Sequence, residues 1–99
     1  MTHTQDVHIA RSSRGWSVHT IQQWTDFPTS ETHGPATSLA WAIFTTACWA
    51  GNNDTAITSL TVHGRPYPRA KVVTAIRRHA SGRLGYELKH CMAAIATLA

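Results

Sequence analysis

Apolar and polar residues alternate twice near the start of the chain, over Val7–Arg11 and Trp16–Trp24, with Ser12-Ser13-Arg14-Gly15 between them. A period of two sends successive side chains to opposite faces, so both stretches are predicted strands of one hairpin. Register follows from matching the faces. Pairing Ile9 with Val18 gathers Val7, Ile9, Trp16, Val18 and Trp24 on one face and sets His8 opposite His19 on the other. A three-residue loop with a bulge at Gly15 would place Val7 opposite Ile21 instead; the first register is preferred.

Thr25–Gly34 reads as a loop, with Phe27 as its anchor and Pro28 as its stiffener. The segment Ala36–Ala50 follows, and the rest of the chain is organised around it: eleven of its fifteen residues are apolar, none is charged and two are tryptophan. Pro35 suits a first helical position, where its missing N–H costs nothing. Gly34 is then a weak N-cap and Gly51 a left-handed C-terminal cap. Apolar residues on every side of the wheel predict a helix buried over most of its surface. At about 1.5 Å per residue it is roughly 22 Å long, enough to cross a small domain but short of a bilayer.

Gly51-Asn52-Asn53-Asp54 is a turn signal. Ala56–His63 alternates as a third strand, with Leu60 and Val62 inward, and His63-Gly64 turns it into a short Arg65–Tyr67 edge that tolerates Pro66. Pro68–Ala80 is a second helix, its apolar stripe Val72, Val73, Ile76 and Ala80 facing away from Lys71, Thr74 and Arg78, with Arg77 on the flank. Ser81-Gly82 ends it. A third helix over Leu84–Leu98 carries a stripe of Leu84, Leu88, Cys91, Ile95 and Leu98, widened by Met92, with Tyr86, Lys89, His90, Ala93 and Thr97 outward. The expected fold class is therefore α+β, in the order β-β-α-β-α-α. A three-stranded, mostly antiparallel sheet is packed on one face by three helices, as a single domain over residues 1–99. Trp16, Val18, Leu60 and Val62 are the sheet residues expected to meet Leu39, Ile43 and Phe44.

Charged residues are 14%, about half the usual share, and threonine fills the polar surface. An apolar content of 42% with four tryptophans excludes a disordered composition. The first residues lack the basic-then-apolar pattern of a signal peptide, and Cys48 and Cys91 lie on apolar helix faces. Reduced thiols, a cytoplasmic location and no membrane association are the expectation. The formal charge of +4 excludes a nucleic-acid mimic and favours an acidic partner.

That charge is concentrated. Arg65, Arg69, Lys71, Arg77, Arg78 and Arg83 are six of the nine Lys and Arg residues, and no carboxylate occurs from Thr55 through Tyr86. Arg69 and Lys71 stand in a first helical turn, where the helix dipole disfavours cations by about 0.3–1 kcal/mol each. An arriving phosphate would relieve that conflict. Tyr67 and Tyr86 bracket the run and could stack on bases. Arg77, Arg78 and His79 suit a helix end without any ligand. The turn Ser81-Gly82-Arg83 has helix-turn-helix length, but Arg78 occupies a position where that motif packs a small residue.

Other chemistry finds less support. His8 and His19 are two neighbours, where a structural zinc site needs four ligands, and there is no Cys-x-x-Cys pair. The five carboxylates Asp6, Asp26, Glu31, Asp54 and Glu87 have no paired spacing. No phosphate loop, nucleophile elbow or dinucleotide fingerprint is present. No enzyme, cofactor or metal is expected. The leading expectation is a non-catalytic binding protein whose basic face over residues 65–83 engages nucleic acid or a nucleoprotein. The alternative is a protein–protein module, an adaptor or inhibitor of a larger machine of the kind mobile genetic elements encode, docking on an acidic surface or pairing as a homodimer. Ala93, Ala96, Thr97 and surplus tryptophan would supply its surface. A small-molecule pocket under Thr25–Gly34 is the third.

Overall fold

The computed structural model describes residues 3–23, 28–80 and 85–98, with the backbone alone for residues 85–87. The strands are β1 (His3–Ser12), β2 (Gly15–Gln23), β3 (Thr29–Ala36), β4 (Thr55–Val62) and β5 (Arg65–Pro66); the helices are α1 (Leu39–Asn52), α2 (Arg69–Ala80) and α3 (Gly85–Ala94). The class is α+β, but the sheet has five strands in the order β3-β2-β1-β4-β5. It is also mixed: β1 pairs antiparallel with β2 and parallel with β4.

The hairpin takes the register that the apolar alternation favours, with Ile9 opposite Val18 and His8 opposite His19. Val7, Ile9 and Val18 are buried on the helix side, and Trp16 packs against the same core. Trp24, the fifth residue of that expected face, and Phe27 lie outside the described residues. Leu60 is buried and Val62 partly buried beside them. At the far turn of β4, His63 and Gly64 both take positive φ, 53° and 79°, as a two-residue hairpin turn requires.

Three expectations need correction. The segment after Pro28 is a strand rather than a loop: β3 pairs with β2, with Val18 opposite His33 and Thr20 opposite Glu31. Every residue of β3 but Ala36 is exposed, so no buried face imprinted a period of two on it. The central helix begins three residues later than expected. Gly34 and Pro35 belong to the end of β3, joined by a cis peptide bond, and Gly34 lies so close to β2 that a Cβ there would sit 2.8 Å from the Trp16 carbonyl oxygen. Ser38 is the true N-cap, its hydroxyl accepting from the Trp41 N–H at 3.1 Å.

At its other end α1 runs through Gly51 and is capped at Asn53, while Asp54 takes the left-handed conformation at φ 52°. Gly51 serves packing instead. A Cβ on it would lie 2.3 Å from the His90 carbonyl oxygen, so α1 and α3 cross at backbone distance there. Beneath, Ile43, Phe44, Ala47, Val72, Ile76, Cys91 and Ile95 are buried in one core with the sheet. The last helix ends at Ala94, and Ala93, Ala96 and Thr97 are exposed. Leu84 and the turn Ser81-Gly82-Arg83 lie outside the described residues, as do the side chains of Tyr86 and Glu87. Among the described residues no helix is long and apolar enough to cross a membrane.

Candidate nucleic-acid interface

The six basic residues singled out by sequence separate into different environments. Arg69 is committed to the fold. Its Nη1 donates to the carbonyl oxygens of Ile95 at 2.8 Å, Ala96 at 3.2 Å and Leu98 at 3.1 Å. Those carbonyls directly follow α3, at the negative end of the helix, where a cation and a multiple donor are both stabilising. The apparent conflict of an arginine in the first turn of α2 is thus resolved by α3, with no phosphate needed.

Lys71 and Arg78 share one side of α2, seven positions apart and nearly eclipsed on the helical wheel. With Thr74 between them they line a groove of about 200 Å³ against Tyr67, Ala40 and Ala75. Lys71 Nζ stands 5.7 Å from the centroid of the Tyr67 ring, a cation–π contact of order 0.5–1 kcal/mol at an exposed site. The groove continues into a wider depression of about 530 Å³ that adds Ser38, Leu39, Ile43 and His79. The start of α1 therefore lines its wall. That first turn is capped by the Ser38 hydroxyl and holds no acidic side chain of its own, so the positive end of α1 favours an anion beside Arg78. His79 lies against the aromatic rings of Trp41 at 5.3 Å and Phe44 at 5.8 Å, closing the groove from below.

Arg77 is exposed about 100° around α2 from Arg78, on a separate face. Arg65 is exposed on the edge strand β5, opposite Val62. Arg83 lies outside the described residues. Among the described residues the ion pair found is Glu31 with His33, 3.2 Å apart on β3. Arg65, Lys71, Arg77 and Arg78 have no carboxylate partner there. Asp6 is taken up elsewhere, its Oδ1 accepting from the hydroxyls of Thr58 at 3.1 Å and Ser59 at 2.8 Å.

Two other surfaces carry polar chemistry. On the sheet face away from the helices, His19 and His8 stand side by side between two threonines. His19 Nδ1 is 3.1 Å from Thr32 Oγ1 and His8 Nδ1 is 2.7 Å from Thr61 Oγ1, two separate hydrogen bonds on either side of the His8–His19 register pair. Among the described residues no group of three or more His, Cys, Asp or Glu could hold a metal ion. On the helix side, a cleft of about 230 Å³ separates α1 from β3, floored by Val18 and Thr20 and flanked by His33, Thr45, Thr46 and Trp49. Trp49 is 37% exposed at its rim, on the part of a mostly buried helix that the core does not cover.

Sequence reasoning missed two contributors to the groove. Tyr67 was grouped with the basic run but not placed beside Lys71, though the 67, 71, 74, 78 spacing carries a helical period. Ser38 and the start of α1 were hidden by the misplaced cap. Comparison of the chain with protein-family models, with curated proteins and with solved structures finds no match.

Proposed function

We propose that this protein is a non-catalytic binding protein that engages the phosphates of nucleic acid, free or within a nucleoprotein, through the groove between α1 and α2. One observation carries the reading: Lys71 and Arg78 stand on the same line of α2, lack a carboxylate partner among the described residues, and share a groove with Tyr67 and the start of α1, whose first turn holds no acidic side chain. Each element suits a phosphate. The two cations supply charge, the first turn of α1 supplies backbone N–H donors, and the tyrosine supplies a flat surface on which a base can stack. Arg77, on another face of α2, and Arg65, on β5, are further exposed cations that a longer polymer would meet only by extending beyond the groove. Sequence-specific readout is not implied, because phosphate contacts position a protein without carrying sequence information. A gel-shift with random duplex DNA, single-stranded DNA and RNA at two salt concentrations tests it. A shift that weakens steeply with salt is expected; no shift at low salt removes the reading.

A second reading, a protein–protein module of the adaptor or inhibitor kind, is favoured by Trp49. A tryptophan left 37% exposed at the lip of an apolar cleft is the kind of side chain on which interfaces concentrate their energy. Capture of partners from lysate after nuclease treatment separates the two: partners lost with nuclease favour the groove, and partners that survive it and depend on Trp49 favour the cleft.

A further inference from the structure

We infer that Cys48 and Cys91 form a redox-active dithiol site, which closes to a disulfide between α1 and α3 by exchange with a low-molecular-weight disulfide. Both residues are thiols, and their Sγ atoms stand 2.9 Å apart. That is already inside the ordinary contact distance of two sulfur atoms. A disulfide bond of about 2.05 Å requires the sulfurs to close by less than about 1 Å. The approach is built in by the helices. Gly51, one turn beyond Cys48, lies against the backbone of His90, the neighbour of Cys91, so no side chain wedges the two helices apart at this crossing.

Accessibility sets the order of events. Cys91 is fully buried, whereas Cys48 is part-exposed. The Cys48 thiolate attacks one sulfur of the external disulfide, whose S–S bond breaks and whose other half leaves as a thiolate that takes up a proton. Cys91, held against the newly modified sulfur, loses its proton, attacks Cys48 Sγ and expels the second half as thiol. Two thiols of the protein become one disulfide and one external disulfide becomes two thiols, so electrons and protons balance. A cross-link here ties α1 to α3 and closes a loop containing β4, β5 and α2, which restricts the unfolded chain.

The full chain is equilibrated with oxidised and reduced glutathione over a range of ratios, quenched with an alkylating agent under denaturing conditions, and weighed intact. The expected result is the paired loss of both alkylation sites, a mass lower by two hydrogens, full reversal by dithiothreitol, and a thermal midpoint raised by roughly 10 °C. The Cys91→Ser variant is expected to stop as a single glutathione adduct on Cys48, and the Cys48→Ser variant to resist modification while folded. Two alkylatable thiols at every ratio, a stable glutathione adduct on the unsubstituted chain, or a disulfide between two chains would each overturn the inference.

Discussion

The guanidinium of Arg69 closes the C-terminal end of α3, with Nη1 2.8 Å from the carbonyl oxygen of Ile95. A residue at the start of one helix thereby supplies the cap that the end of another lacks. Replacing Arg69 with alanine removes its bonds to three carbonyls, of which Ile95 keeps the Leu98 N–H at 3.0 Å, and is expected to cost about 1–3 kcal/mol. Lysine, a point charge without the planar fork, should recover part of that. Urea titration measures it as a lower midpoint at unchanged slope. Unaltered stability would show that the carbonyls are equally well served by solvent.

Lys71 and Arg78 have a different prediction, because they hold nothing together in the fold beyond the contact of Lys71 with Tyr67. The double substitution to alanine should leave stability within about 0.5 kcal/mol. It should weaken nucleic-acid binding and flatten the plot of log affinity against log salt by about 1.8 for duplex and about 1.4 for single strands, the counterions of two phosphates. Arg69→Met, compared under conditions where it remains folded, should leave that slope unchanged. A slope insensitive to Lys71 and Arg78 would move the site elsewhere.

Gly51→Ala tests the crossing of α1 and α3. Alanine is the better helix former by about 1 kcal/mol, so local propensity predicts stabilisation. The new Cβ would meet the His90 carbonyl oxygen at 2.3 Å and its carbon at 2.6 Å. Both are backbone atoms, so the helices must part, and overpacking of this sort costs about 1–3 kcal/mol. A net fall in thermal midpoint is the expected outcome.

Gln5 offers the opposite sign. It is fully buried on β1 between Gln22 and Ile57, and neither Oε1 nor Nε2 meets a hydrogen-bond partner among the described residues. Methionine, of similar length without the amide, should raise stability by about 1 kcal/mol by removing an uncompensated desolvation. A loss on chemical denaturation would mean that the amide serves the fold.

What the sequence revealed and concealed follows from which residues were forced to take sides. Ile9 and Val18 must share the buried face, and that fixed the hairpin register correctly. Val72, Ile76, Cys91 and Ile95 carry a helical period for the same reason, and all four are buried. Thr29–Ala36 carries no such mark, because every residue of β3 but Ala36 is exposed. The pairing of β1 with β4 was also silent: an apolar alternation says which face a strand buries, not which neighbour it takes. Pro35 misled because proline after glycine fits a helix start as well as a strand end, whereas Ser38, three positions before the Trp41 amide it caps, was the better signal. In the candidate groove, the density of basic residues was legible. The divorce of Arg69 from Lys71 and Arg78 was not, because it depends on carbonyls more than twenty residues away.

The central place of β1 sets the order in which the chain can mature during synthesis. Its pairing with β2 is available as soon as the hairpin leaves the ribosome, but its parallel partner is encoded some fifty residues later, with His3 alongside Thr55 and Ile9 alongside Val62. Until β4 arrives, one flank of the middle strand stands open, with unpaired amides and carbonyls beside Val7 and Ile9. Such a nascent half-sheet invites association with other chains. Production of this protein should therefore favour slow translation and low temperature, and fragments ending before Thr55 should precipitate where the whole chain does not.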